Sequence, residues 1–247
     1  MTDPRALEQL LLESWDFGDP AGSGASFREA AAVLRTQEAR ATGLSGDFDA
    51  AGRILDEVES SGPTSAHARA RLAIERGRVL NSSGDPTGAA PYFADAHRLA
   101  TEAGAGGLAL DALHMQGIVA GATDGPAAAR IIDERALAEV EASDDPQVRR
   151  WLGSILNNLG WDLHDSGEPE QALAVFERAV DVRADADDHS AWIVARWSVG
   201  RTLRTLGRYD EALALMRELA ADPVGAEDQY VAEEIAENLT LLDGSVS

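Results

Sequence analysis

The feature that most restricts the fold is a pattern of small and aromatic residues that recurs at nearly constant spacing. Its clearest copy lies in residues 157–180, where a Leu-Gly pair is followed by a second Gly and then by Ala-x3-Phe-x2-Ala. A sustained internal period of this length is typical of a linear array of helical units. The sequence therefore predicts five copies of one unit, whose aligned residues are offset by 38, 40, 43 and 40 positions: Ala51, Ala89, Ala129, Ala172 and Ala212.

Each copy carries the signals of two helices joined by a tight turn. Apolar or small residues recur at spacings of three and four, which is the pattern of an amphipathic helix. The second helix often follows an acidic residue and a Pro, as in Asp85-Pro86 and Glu168-Pro169, because Pro is tolerated in the first turn of a helix. A glycine between the halves suits a left-handed helix cap and is found in four copies, at Gly46, Gly84, Gly167 and Gly207.

The small residues predict how the two helices of a unit pack. Gly160 and Ala172 let the helices approach closely, while Phe176 fills the space between them. One helical hairpin cannot bury its apolar face alone, whereas stacked hairpins can. The sequence therefore predicts an all-α fold of stacked helical hairpins.

This pattern resembles the tetratricopeptide repeat family. The family motif, W-x2-L-G-x2-Y followed by A-x3-F-x2-A, is matched in the fourth copy as L-x2-L-G-x2-L followed by A-x3-F-x2-A. The period exceeds the usual ~34 residues, Leu156 or Arg196 replaces the first Trp, and the closing Pro is missing. The longer period is similar to that of bacterial regulatory and peptide-sensing members. The resemblance implies a right-handed α-α superhelix, or solenoid, of about five hairpins.

We expect one solenoid domain over residues 1–247. A short N-terminal helix and a loop occupy 1–26, with the loop at 16–26, and the five repeats cover 27–221. The segment 225–242 has apolar residues at helical spacing and an acidic opposite face, which predicts a C-terminal capping helix. The acidic segments 141–147 and 181–190 are interpreted as connectors between units.

Composition limits the classes of partner. The formal charge is −22, from 43 acidic and 21 basic residues, and every basic residue is Arg. Nucleic acids and anionic membranes would be repelled, so neither is expected as a partner. No apolar run reaches the length of a membrane span. The absence of Cys excludes disulfides. The N-terminus lacks a basic leader ahead of an apolar stretch, so we expect a cytoplasmic protein.

Motifs for catalysis or metal binding are not found. The sequence contains no nucleophile elbow, no phosphate-binding loop and no zinc-protease signature. The acidic run Asp185 to His189 lacks the ligand order of a calcium loop. We therefore expect a non-enzymatic protein that needs neither a metal nor a cofactor.

The resemblance implies a ligand-binding face built from the first helix of each unit. Its 25 inward positions contain five Arg and two acidic residues, an excess of +3 on an acidic protein. Arg donates a planar fork of hydrogen bonds to carboxylates, and an Asn amide pairs with a peptide main chain, as family members do at the position of Asn158. We therefore predict an acidic peptide or carboxylate-bearing segment as ligand, with Trp161 and Trp197 as an apolar wall. The predicted binding residues are Arg40, Arg71, Arg78, Asn81, Asn157, Asn158, Trp161, Trp197, Arg201 and Arg204.

Structural roles for the same residues remain open. Arg71 and Arg78 can pair with Glu75, the asparagines can bond between helices, and Trp161 can belong to the core. Three functional hypotheses follow. The chain is an adaptor or receptor for a peptide, a scaffold that self-associates as a homodimer, or the sensor subunit of a transcriptional or signalling system acting through a partner protein.

Overall fold

A computed structural model describes residues 4–184 and 188–245, and all regular elements within these ranges are helices. The all-α fold class is therefore confirmed. The helices are α1 (Pro4–Ser14), α2 (Pro20–Leu44), α3 (Phe48–Ser60), α4 (Ala66–Ser82), α5 (Pro86–Glu102), α6 (Gly106–Asp124), α7 (Pro126–Glu141), α8 (Pro146–Arg149), α9 (Leu152–Asp165), α10 (Pro169–Arg183), α11 (His189–Thr205), α12 (Tyr209–Ala221), a 3-10 turn (Gly225–Glu227) and α13 (Gln229–Ser245).

The chain divides into two compact units, at residues 1–112 and 113–247. In the first unit, α2 pairs with α3 and α4 pairs with α5. In the second unit, α9 pairs with α10, α11 pairs with α12, and α13 packs on α12. The predicted single domain over 1–247 stays a prediction.

The turns within the hairpins form as predicted. Gly84 and Gly167 have φ angles of 96° and 81°, in the left-handed region where a side chain would be strained. The Asp85 side chain then accepts a hydrogen bond from the Gly88 backbone N–H at 2.8 Å and so caps α5. Glu168 precedes α10 in the same way but makes no side-chain cap.

The predicted loop at 16–26 is wrong over most of its length, because α2 already begins at Pro20. The Asp19 side chain accepts a hydrogen bond from the Gly22 backbone N–H at 2.9 Å, and Pro20 occupies the first helical turn. This is the same Asp-Pro signal as at Asp85-Pro86, here hidden in a segment rich in Gly and Ser. The capping helix predicted at 225–242 is present as α13, preceded by the 3-10 turn.

Glycine and aromatic side chains form the contact between the helices of a hairpin, as predicted. A methyl group added at Gly77 would lie 2.6 Å from Phe93 Cε1, and one at Gly160 would lie still closer to Phe176. Both phenylalanines are completely buried. The hairpin of α6 and α7 departs from this pattern, since Gly117 there faces the carboxyl group of Asp133.

Candidate functional site

The predicted arginines of the first unit surround a buried glutamate. Glu75 is 1% exposed, and its carboxylate accepts a hydrogen bond from Arg78 Nη1 at 2.7 Å. Arg78 also bonds to Asp111, and Arg40 reaches Glu75 at 3.5 Å. Burial raises the pKa of Glu75, while the charges of Arg78 and Arg40 lower it. Arg78 therefore neutralises carboxylates of its own unit.

Two further predicted residues lie on the same helix, α4. Arg71 is partly buried one turn after His67, and burial together with the Arg71 charge lowers the pKa of His67. Asn81 is partly buried near the C-terminal end of α4.

In the second unit, the arginines of α11 meet a carboxylate from α13. Arg204 donates two hydrogen bonds to Glu234, at 2.7 and 3.0 Å, and Arg201 reaches the same carboxylate at 3.4 Å. Glu234 is 6% exposed; burial raises its pKa and Arg204 lowers it. These bonds hold the terminal helix on α11. Four of the five arginines on the predicted binding face therefore pair with nearby carboxylates. The predicted excess of +3 already counts Glu75 and Asp111, so Glu234 lowers it only to +2.

The two asparagines of α9 have different surroundings. Asn158 Nδ2 lies 3.0 Å from His114 Nδ1 on α6, so this side chain connects the first helices of two neighbouring repeats. Asn157 is partly buried, and its buried Oδ1 has no hydrogen-bond partner within residues 4–184 and 188–245.

Trp161 and Trp197 come together as predicted, in a row of aromatic rings. Their centroids are 5.8 Å apart, and Trp197 lies 6.0 Å from the ring of Tyr230. Trp197 Nε1 also donates a hydrogen bond to the Tyr230 carbonyl oxygen at 3.2 Å. On its other side, Trp161 packs edge-on against the buried ring of Phe176 at 5.1 Å. We call Trp161, Trp197 and Tyr230 the aromatic row.

A cavity of about 340 Å³ opens beside one end of the aromatic row. Val194, Trp197, Asp228 and Tyr230 line it. Val194 is 43% exposed and Tyr230 is 55% exposed, so apolar surface remains uncovered here. Sequence reasoning missed Tyr230 because it lies beyond the last repeat, at the start of α13.

A pair of carboxyl groups was also missed. Asp133 on α7 and Asp162 on α9 line a second cavity of about 190 Å³, together with Gly117, Asn158 and Trp161. Burial, and secondly the charge of Asp162, raise the pKa of Asp133 to about 8. Burial likewise raises the pKa of Asp162 to about 6. The sequence does contain the signal, because in Ala129-x3-Asp133-x2-Ala136 an Asp stands where the family motif has Phe.

The described residues contain neither a metal-binding cluster nor a helix that could span a membrane. Among the described residues, no group of three or more His, Cys, Asp or Glu side chains is arranged to hold a metal ion. Part of the acidic run at 185–189 lies outside the described residues. Within the described part of the chain, no helix combines the length and apolarity needed to cross a membrane.

Comparison with known proteins gives a family for part of the chain and a fold for most of it. Residues 151–221 match the tetratricopeptide repeat family model. No curated protein matches the sequence.

Solved structures with the same fold are repeat proteins of low sequence identity. BtubC (BKLC) from P. vanneervenii is 15% identical, with a TM-score of 0.67 over 87% of each chain. The TPR-like repeats of a kinesin light chain-like protein from Podosopora anserina are 17% identical, with a TM-score of 0.61 over 76% of this chain and 92% of that one. The apo form of RapI is 12% identical, with a TM-score of 0.71 over 97% of this chain and 65% of that one. At these identities the likeness shows the fold alone.

Proposed function

We propose that the second unit, in which residues 151–221 match the tetratricopeptide repeat family, binds a peptide segment of a partner protein along the aromatic row. We further propose that the chain acts by binding, as an adaptor or receptor, rather than by catalysis. The observation that carries this proposal is the aromatic row itself, with an open cavity at its end.

The row has the properties of a binding surface. Trp and Tyr side chains offer a large contact area, and little conformational entropy is lost when they are covered. Trp161 is fixed against Phe176, and Trp197 is fixed by its hydrogen bond to the Tyr230 carbonyl, so both rings are held in place before a ligand arrives. The exposed Val194 and Tyr230 extend the apolar surface into the cavity.

The ion pairs change the ligand chemistry expected from the arginines. An acidic segment bound at Arg78 or Arg204 would have to displace Asp111, Glu75 or Glu234 from short hydrogen bonds. Arg201 lies one turn after Trp197, and its contact with Glu234 is longer, at 3.4 Å. We therefore keep Arg201 as the contact for a ligand carboxylate and assign the main binding surface to the aromatic row.

The proposal is tested with a random-peptide library selected against the purified full chain. Peptides recovered from the library are titrated by fluorescence anisotropy against wild type and two Trp variants. Trp197→Ala should weaken binding at least about tenfold, because a buried aromatic anchor contributes ~2 kcal/mol or more.

Trp192→Ala is the matched control. Trp192 lies on the same helix as Trp197, but its ring stacks on His189 and is not part of the aromatic row. Equal losses from both variants, or no loss from Trp197→Ala, would contradict the proposal. Self-association through this surface would instead appear in light scattering as a mass above 26.1 kDa that rises with concentration.

A further inference from the structure

The third repeat differs from its neighbours in what fills its core. In α9 and α10 the glycine Gly160 faces Phe176, and in α11 and α12 the glycine Gly200 faces Met216. In α6 and α7, Gly117 faces Asp133. Asp133 thus takes the place of a large apolar side chain, and a cavity of about 190 Å³ opens beside it, lined also by Gly117 and the exposed Ile118. A cavity of about 150 Å³ is known to accommodate benzene, so there is room here for a side-chain head group.

The walls of this cavity present unsatisfied acceptors. Asp133 is only 1% exposed, and its carboxyl group is hydrogen-bonded to Asn158 and Asp162. Its buried Oδ1, which faces Gly117, has no hydrogen-bond partner in the described part of the chain. The buried Oδ2 of Asp162 likewise has no hydrogen-bond partner among those residues. Leaving a buried carboxylate without a donor or a counter-charge is costly. The site is therefore complete only when a proton or a cation joins the two carboxyl groups.

The surrounding groups leave that role unfilled. Arg130 lowers the pKa of Asp162 by its charge, but its own guanidinium is bonded to Glu134 at 2.7 Å and Glu168 at 2.8 Å. Asp165 adds a further negative charge near Asp162. On the α6 side, His114 is engaged with Asn158. The Asn158 amide also hydrogen-bonds to Asp133 and lowers its pKa, but it carries no charge.

We infer that the cavity between Asp133 and Asp162 binds the guanidinium group of an arginine side chain from the partner peptide. A guanidinium offers a planar fork of donors that matches carboxylate oxygens. Trp161 forms part of the wall, and an aromatic ring attracts a cation. The formal charge of −22 raises the local concentration of basic segments around the protein. This inference rests on the proposed function for the peptide that carries the arginine, whereas the binding of the cation itself can be measured alone.

Binding should exchange a proton for the cation. With the pKa of Asp133 raised to about 8 and that of Asp162 to about 6, the two carboxyl groups by themselves keep a proton at neutral pH. A guanidinium competes with that proton, so its affinity should rise as the pH increases from 6 to 8.5. The expected gain is about tenfold or more, because protonation no longer opposes binding at the higher pH.

The test uses N-acetyl-arginine amide as the probe and N-acetyl-citrulline amide as its neutral isostere. The full chain is titrated with each probe at pH 8.5, and binding is followed by NMR at the Gly117 backbone amide and the Asn158 side-chain amide. The arginine probe should bind and saturate, N-acetyl-lysine amide should bind more weakly, and the citrulline probe should not saturate. Equal binding of the arginine and citrulline probes, or no binding of the arginine probe, would overturn the inference.

Two variants separate the site from general folding effects. Asp133→Phe places at this position the residue that the second and fourth repeats have as Phe93 and Phe176, so the variant should fold but no longer bind the arginine probe. Glu170→Gln removes one exposed negative charge from the same unit and should bind like wild type. An Asp133→Phe variant that keeps full affinity at pH 8.5 would refute the assignment.

Failure of this inference is distinguishable from failure of the proposed function. Library peptides that need Trp197 but are insensitive to Asp133→Phe would overturn the inference and leave the proposed function standing. If the arginine probe binds and no peptide does, the cation site is supported and the peptide-binding proposal fails.

Discussion

Replacing Asp133 with phenylalanine should stabilise the protein, and the gain should grow with pH. The side chain would enter the cavity of about 190 Å³ opposite Gly117, as the fully buried Phe176 does opposite Gly160. Burying a phenylalanine ring contributes ~1.5–3 kcal/mol. At pH 5.5, where most Asp133 side chains are protonated in the folded state, we expect a gain of about 2 kcal/mol in the free energy of unfolding.

The pH dependence follows from the raised pKa. Burial raises the pKa of Asp133 to about 8 from its ordinary value of 3.8, so the folded state binds this proton more tightly than the unfolded state. The stability contributed by the protonated carboxyl is complete below pH 4 and is lost as pH rises towards 8. The contribution of Asp133 to the free energy of unfolding of wild type should therefore fall by up to about 3 kcal/mol between pH 5.5 and 8, at ~1.4 kcal/mol per pKa unit. Asp133→Phe avoids that loss.

Urea unfolding followed by circular dichroism at the two pH values measures both effects. Asp133→Asn is the control, because it removes the titrating group without filling the cavity. It should flatten the pH dependence and lack the gain at pH 5.5. A phenylalanine variant that is less stable than wild type at both pH values would refute the account of the cavity. A gain that does not change with pH would refute the account of the carboxyl pair.

Two further predictions concern packing and ion pairs. Gly160→Ala should destabilise by ~1–3 kcal/mol because its methyl group would overlap the ring of Phe176. Gly52→Ala, on an open part of α3, should stabilise by ~0.5–1 kcal/mol, and urea unfolding of both variants gives the comparison. Arg78→Ala should cost about 3 kcal/mol at pH 7, because it leaves the 1%-exposed Glu75 short of a counter-charge. That loss should shrink at acid pH as Glu75 becomes protonated. Arg98→Ala, at an exposed ion pair, is the control and should change stability little. Equal losses from the two arginine variants would contradict the role of Glu75.

The hairpin architecture could be predicted because its signals are local. Gly84 reverses the chain and Asp85-Pro86 starts the next helix, and both effects depend on a few adjacent residues. The same reasoning should have extended to Asp19-Pro20. There the Gly- and Ser-rich composition favours a loop, although the Asp19 side chain caps α2.

The candidate site was less predictable because its contacts join residues far apart in the sequence. Glu234 pairs with Arg204 from 30 positions away, and the repeat motif says nothing about a residue beyond the last repeat. The arginine excess on the inward positions therefore includes Glu75 and Asp111 but not Glu234. Asp133 is a different case, because the sequence carries a signal that the prediction of binding residues does not use: an acidic residue stands at an apolar position of the motif.

Because the third repeat has Asp133 where two other repeats have a phenylalanine, stability is distributed unevenly along the second unit. In a linear array of repeats, each hairpin is stabilised by its own contacts and by those with its immediate neighbours. A destabilising residue such as the buried Asp133 therefore weakens its own hairpin and the interface with the next one, rather than a core shared by the whole unit. Local opening of α7 should need less free energy than opening of the α9 and α10 hairpin, where Gly160 and Phe176 are tightly packed. A cation that fills the cavity would raise this local opening energy by mass action. Ligand binding would then make this repeat, and the α9 helix packed against it, more resistant to local unfolding.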